Sequence, residues 1–255
     1  MESIPAGLTG LGWLILFLVP LILFQRLLHR EIQLNLLLLT RRPDLSVIIF
    51  SLLFLPGVFL HEISHYLAAQ LMGVRTGRLS IIPRAVPGGK LQLGFVETAQ
   101  VDWLRGSIIG IAPLMSGMAF VAYVGLVQLQ LTGSWELARD FNLQELWEGL
   151  KQILAQPDFW LWLYLLLTVS SMMFPSASDR SSWLPLGITA GILLSISIFL
   201  GAGPWMAQHM APLVNRFFQA VAAVFAISSL AHLLLYLPSR LARFLLTRLT
   251  GVEVA

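Results

Sequence analysis

The run from Leu45 to Met72 is apolar and long enough to cross a bilayer, yet it holds His61, Glu62 and His65 within little more than one helical turn. Inside hydrocarbon the backbone has no water to bond, so a run of this kind folds as a helix. Ionisable side chains are costly there, which marks the three residues as a functional cluster. On a helix, positions i and i+4 share a face. His61 and His65 can therefore offer two imidazole nitrogens to one metal ion, while Glu62 stands beside the first as a general base. Three fixed positions of the H-E-x-x-H type recur by accident in on the order of one chain in a hundred. Accident is rarer inside a membrane run, where these residue types are scarce.

The rest of the composition agrees with a bilayer. Of 255 residues, 57% are hydrophobic and 11% charged, against roughly 25% charged in a soluble domain. The formal charge of +3 comes from basic residues set singly at the ends of apolar runs, a topological pattern that excludes nucleic acid as a partner. The chain has no cysteine. Disulfides and thiolate ligands are thereby excluded, and a metal must be held by His, Asp or Glu. The first apolar run, Leu11 to Phe24, follows acidic Glu2 with no basic residue before it and no small-residue cleavage site after it, and reads as a retained span.

These features predict an all-α polytopic membrane protein of about six transmembrane helices, with a small β-hairpin after the H-E-x-x-H helix and interfacial amphipathic helices. The first span covers Gly10 to Phe24, with a kink at Pro20, and Arg26 and Arg30 mark a membrane boundary. Glu31 to Thr40 is too short to cross and is read as lying on the surface. In the second span, Leu45 to Met72, Pro56-Gly57 predicts a bend one turn before the ligands. Leu79–Ile82 and Lys90–Phe95 flank Pro87-Gly88-Gly89 as the arms of a hairpin. A hydrolase of membrane helices must hold its substrate extended, and a strand edge can do so by β-addition, which makes Leu91 and Leu93 candidate substrate contacts. Further spans are expected at Ile108–Leu129, Phe159–Phe174, Trp183–Leu200 and Leu213–Leu237. An amphipathic helix is expected from Asn142, and a basic amphipathic tail, Ser239–Thr250, on an anionic membrane surface. The chain divides into an N-terminal helix and interfacial segment (1–44), a membrane core (45–186) and C-terminal helices with the tail (187–255).

A catalytic zinc site takes three protein ligands and leaves a position open. Asp179, Glu136 and His232 are the candidates beside His61 and His65. With six spans the second, fourth and sixth run in one direction, so the end of the second span and Asp179, at the end of the fourth, approach the same face. Glu136 opens an E-x-x-x-D with Asp140, but in a loop at the opposite face. His232 lies at a compatible depth and is read as a group behind the ligands or at a substrate gate. The basic residues divide nine to seven, a lean that places the site near the cytoplasmic face.

The order of features resembles the site-2 protease family of intramembrane zinc metalloproteases. His61-Glu62-Ile63-Ser64-His65 matches their H-E-x-x-H within a membrane helix. Gly110-Ile111-Ala112-Pro113-Leu114-Met115-Ser116 looks like their G-P-x-x-N element, and Phe174 to Arg180 occupies the place of their Asp-bearing segment. Ser116 stands where the family has Asn, Ala112 where it has Gly before Pro, and Arg180 where it has Gly after Asp. The resemblance implies Zn2+ held by His61, His65 and Asp179, with Glu62 as general base and Ser116 at the substrate. It implies an endopeptidase acting on transmembrane protein substrates from within the bilayer, as an integral multi-pass protein of a prokaryotic cytoplasmic membrane. Two other readings use the same residues: a zinc-binding scaffold that no longer cleaves, and a transporter-like helical bundle.

Overall fold

The computed structural model describes residues 9–86, 90–131, 143–156 and 158–251. Helix α1 is Thr9–Thr40, followed by α2, Pro43–Leu53, and α3, Leu55–Leu71. Strands β1 (Thr76–Ser80), β2 (Arg84–Val86), β3 (Lys90–Gln92) and β4 (Phe95–Thr98) come next. Helix α4, Trp103–Tyr123, continues through a wide turn at Val124–Gln128. Then follow α5 (Leu143–Leu154), α6 (Phe159–Met172), α7 (Trp183–Ser197) and α8 (Gly203–Thr250).

By length and apolarity, α1, Trp103–Gln128 and the stretch Trp183–Thr250 can each cross a membrane. The α2–α3 pair, bent by 65°, makes a fourth if it counts as one span. Helix α6 has 14 residues and reaches about 21 Å, short of a hydrocarbon core of about 30 Å. The described helices thus support three or four full crossings by length, fewer than the six expected. Helix α7 has no buried residue, and Phe199 just beyond it is 90% exposed. An apolar helix with so much of its surface open is stable only against lipid or other protein.

The expected bend before the ligands is present. It falls at Phe54, and Pro56 sits in the first turn of α3, where its missing N–H has no helical partner to lose. The hairpin is also present but is built as two nested antiparallel ladders. The outer one pairs Leu79 with Val96 and Ser80 with Phe95, and the inner one pairs Ala85 with Leu91. The ladders part at Ile81-Ile82-Pro83 and Leu93-Gly94, where proline cannot donate to a ladder and glycine packs no side chain. The turn expected at Pro87-Gly88-Gly89 lies outside the described residues. Helix α4 starts because Asp102 Oδ1 accepts the Leu104 and Arg105 N–H groups at 3.1 and 3.0 Å.

Two expectations at the ends of the chain are corrected. The segment Glu31–Thr40 is not a separate surface-lying piece, because α1 runs through it and through Pro20 as one helix of 32 residues. Likewise Ser239–Thr250 is not a separate segment; it is the end of the 48-residue α8, which continues past Pro238. The reason is one set of contacts. Glu31 is buried and takes both nitrogens of the Arg243 fork, at 2.6 and 3.2 Å. One turn on, Asn35 Nδ2 donates to the Ser239 carbonyl at 2.8 Å. Glu31 and Arg243 answer one another across the two helices.

Helix directions refine the topological argument. Helices α3 and α6 are parallel, as expected: Tyr164 bonds the Leu53 carbonyl, and His61 bonds that of Met172. Helix α8 runs the other way. Phe225, His232 and Tyr236 meet Phe174, Ser171 and Leu167 in turn. It is parallel to α1, since Gly10 meets Asn215 and Glu31 meets Arg243. The sixth segment therefore does not run with the second and fourth, and a basic-residue count that assumes strict alternation no longer assigns the site a face. A central core of Leu21, Val121, Val124, Leu166, Val169 and Phe225 joins α1, α4, α6 and α8.

Truncating one member of the buried pair should destabilise the protein more than replacing both. Glu31→Ala is expected to cost about 2 kcal/mol, below the figure for a fully buried pair because Arg243 keeps some solvent contact. The double variant Glu31→Leu/Arg243→Met should recover most of the loss, read as the unfolding midpoint in detergent.

Candidate metal centre

His61 and His65 project from one face of α3, with their Nε2 atoms 3.2 Å apart. The Asp179 carboxylate meets them from the turn after α6, with Oδ1 3.3 Å from His65 Nε2 and Oδ2 3.7 Å from His61 Nε2. All three potential ligand atoms lie within 4.8 Å of one another. Asp179, more than a hundred positions along the chain, is thus brought to His61 and His65, as the sequence reading expected.

What holds the imidazoles decides the chemistry. His61 Nδ1 bonds the Met172 carbonyl at 2.7 Å, and His65 Nδ1 bonds the Ile109 carbonyl at 2.9 Å. A carbonyl only accepts, so each Nδ1 carries the proton, and in the neutral ring each Nε2 presents a lone pair. Two lone pairs and a carboxylate therefore face one point with no donor between them. Protonating both rings instead would put two cations 3.2 Å apart. A single shared metal ion satisfies all three atoms, and carbonyl bonds at the far nitrogens are the usual means of fixing such ligands. Tetrahedral ligands at about 2.0–2.1 Å from zinc stand about 3.3 Å apart, close to the spacings here.

The Asp179 carboxylate is held by its own turn. Oδ2 accepts the Ser176 N–H at 2.7 Å, and Asp179 N–H donates to Ser176 Oγ at 3.3 Å. The Ser176 N–H donated to Oδ2 favours the ionised carboxylate, the form that can serve as a ligand. Arg180 does not pair with Asp179; its Nε donates to the Ser176 carbonyl at 3.2 Å and closes the same turn.

Glycines let the pieces come close enough. A Cβ on Gly57 would collide with the Thr168 carbonyl of α6, and one on Gly110 with the Asp179 carbonyl. These contacts set the depth of α6 against α3 and of the Asp179 turn against α4. Gly110, the first residue of the element that resembles G-P-x-x-N, thus admits the backbone of the Asp179 turn. The two carbonyls that fix the imidazoles were not foreseen, since backbone acceptors carry no mark in a sequence.

Glu62 is buried and lines a cleft of about 1010 Å³ with His61, His65 and Asp179. The strand segment Leu93 to Val96 forms the facing wall. Gly94 lies against the Glu62 side chain so closely that a Cβ there would sit 2.7 Å from Oε1. Leu93 is thus at the cleft, as expected. Leu91 pairs with Ala85 in the inner ladder, and its side chain lies outside the described residues. Ser116 is not on the cleft wall; its Oγ is 2.6 Å from Ser64 Oγ and donates to the Pro113 carbonyl at 3.1 Å, which ties α4 to α3. Glu136 and Asp140 lie outside the described residues. His232 is fully buried and is not among the ligands, because Ser171 Oγ occupies its Nε2 at 2.9 Å and its Nδ1 donates to the Ser228 carbonyl at 2.7 Å. Ser171 precedes Met172, so His232 stands two links behind His61.

Comparison with protein-family profiles, curated proteins and solved structures finds no match to the chain.

Two glycine variants separate ligand placement from the placement of Glu62. Gly110→Ala should push the Asp179 turn away and lower bound zinc at least tenfold at fixed free metal. Gly94→Ala should leave metal binding near the parent value while displacing Glu62. Metal content by atomic emission, measured on both purified variants, checks the pair.

Proposed function

We propose that this protein is a zinc-dependent intramembrane endopeptidase of the site-2 protease kind, hydrolysing peptide bonds of membrane-spanning proteins. The observation that carries the reading is the convergence of two imidazole lone pairs and a carboxylate in a cleft that also holds Glu62, on a helix of a strongly apolar chain. His61, His65 and Asp179 would hold the ion. Two nitrogens and one carboxylate oxygen suit zinc, and a three-residue protein set is the catalytic pattern. When bound, zinc supplies a Lewis acid that polarises a carbonyl and lowers the pKa of water.

The chain's own groups do the rest. Glu62, next to the first ligand and facing the cleft, takes a proton from the attacking water and returns it to the leaving amine. Burial of its side chain under Gly94 keeps bulk water from competing for that proton. Strand β4 bonds β1 on one side and has no strand neighbour on the other among the described residues. A substrate segment unwound from its helix can add along the open edge at Val96 to Thr98, beside the cleft, with Leu93 at its end. Leu91 belongs to the ladder beyond, and Ser116 has no part in this binding. The protein is integral and multi-pass in this reading, with α6 and the α6–α7 turn bringing Asp179 to the ligands without a full crossing of their own.

The proposal separates from a zinc-binding scaffold in one comparison. Glu62→Gln should keep zinc at the parent level and lower cleavage of transmembrane-segment peptides by about 10²- to 10⁴-fold. His65→Ala and Asp179→Ala should lose zinc and cleavage together. Zinc retained in the parent with no Glu62-dependent product across a panel of such peptides would favour the scaffold.

A further inference from the structure

Helix α1 carries a polar residue where its packing calls for an apolar one. Leu21 and Leu28, four residues before Gln25 and three after it, are fully buried, so Gln25 lies on the face that α1 turns to the core. A primary amide is costly there unless its hydrogen bonds are made. Its Nε2 donates to the Ser171 carbonyl at 2.7 Å, and the side chain lines the metal cleft beside Ser171 and Met172.

The end of α6 shows what that bond does. The last four carbonyls of a helix have no helical N–H, and a following turn of backbone commonly supplies one or two. Helix α6 ends at Met172, and Pro175, which stands where such a turn would close, has no N–H to give. Side chains from two other helices take its place. Gln25 bonds the Ser171 carbonyl, and His61 Nδ1 bonds the next one, of Met172, at 2.7 Å. Ser171 is held a second time, because its hydroxyl donates to His232 Nε2 of α8 at 2.9 Å. The planar peptide that carries the Ser171 carbonyl includes the Met172 nitrogen, so pinning it sets the direction from which Met172 presents its own carbonyl.

We propose that Gln25 is a positioning residue of the metal centre. By pinning the Ser171 carbonyl it holds the closing turn of α6, and through the Met172 carbonyl it fixes the ring orientation and tautomer of His61. This role rests on the reading of His61, His65 and Asp179 as metal ligands; Gln25 acts through the end of α6 and is not itself a ligand. A bond that only stapled α1 to α6 would contribute to stability and leave the metal alone. Asn35 supplies the comparison, since about 15 Å further along the same helix its Nδ2 donates to the Ser239 carbonyl at 2.8 Å, away from the cleft.

Zinc affinity by competition with a chromogenic chelator, and the visible spectrum of the Co2+-loaded protein, test this on the full chain in detergent. Gln25→Met keeps the reach of the side chain and removes the donor. It should weaken zinc binding at least tenfold and shift the Co2+ ligand-field bands, while Asn35→Leu keeps the parent affinity and spectrum. Gln25→Met with the parent's affinity and bands would overturn the role, and so would an equal loss in Asn35→Leu, which would make the effect one of general stability. Zinc absent from the parent is a separate result, which would overturn the metal centre itself and this role with it.

Discussion

Everything at the candidate centre follows from where two protons sit. The Met172 and Ile109 carbonyls take the Nδ1 protons of His61 and His65, which leaves both Nε2 lone pairs aimed at the same point as the Asp179 carboxylate. Without a cation this arrangement is repulsive at the observed spacing. With one it is a three-ligand site whose rings are already locked. A fold that brings three such atoms together inside an apolar chain does so against desolvation, and an ion held there would be the compensation.

The surrounding architecture serves that placement. Helix α3 supplies the two imidazoles and Glu62, α4 and α6 supply the carbonyls, and glycine contacts at Gly57 and Gly110 fix the distance between them. Helices α1 and α8 clamp this set from one side through a shared core and the Glu31–Arg243 pair. His232 and Gln25 extend the clamp to Ser171, one residue before the carbonyl that orients His61. The β-hairpin covers the opposite side, with Gly94 pressed against the general-base candidate.

Much of this was legible in the sequence, for reasons that differ by residue. The H-E-x-x-H fixes its own geometry once it is helical, and Asp179 could be placed by the direction of α6 relative to α3. Pro56 marked the bend and the Leu79–Phe95 stretch its hairpin. Two kinds of feature were not legible. The ends of α1 and α8 read as surface segments because Glu31–Thr40 is too short to cross alone and Ser239–Thr250 is a basic amphipathic stretch, and neither sequence shows that Glu31 and Arg243 answer each other. The direction of α8 was misjudged because alternation of crossings assumes that every apolar run crosses, and α6, with 14 residues, is too short to do so alone. Ser116 was matched by position within a motif, but its hydroxyl is engaged between α3 and α4, away from the cleft.

The most direct test of the account is zinc K-edge X-ray absorption on the purified, metal-replete protein. The account predicts near-stoichiometric zinc in a four-coordinate shell, with imidazole scattering and all nitrogen and oxygen ligands at about 2.0–2.2 Å. Absence of zinc, or a shell of oxygen ligands without imidazole, would contradict it and leave the converging lone pairs of His61 and His65 without their cation.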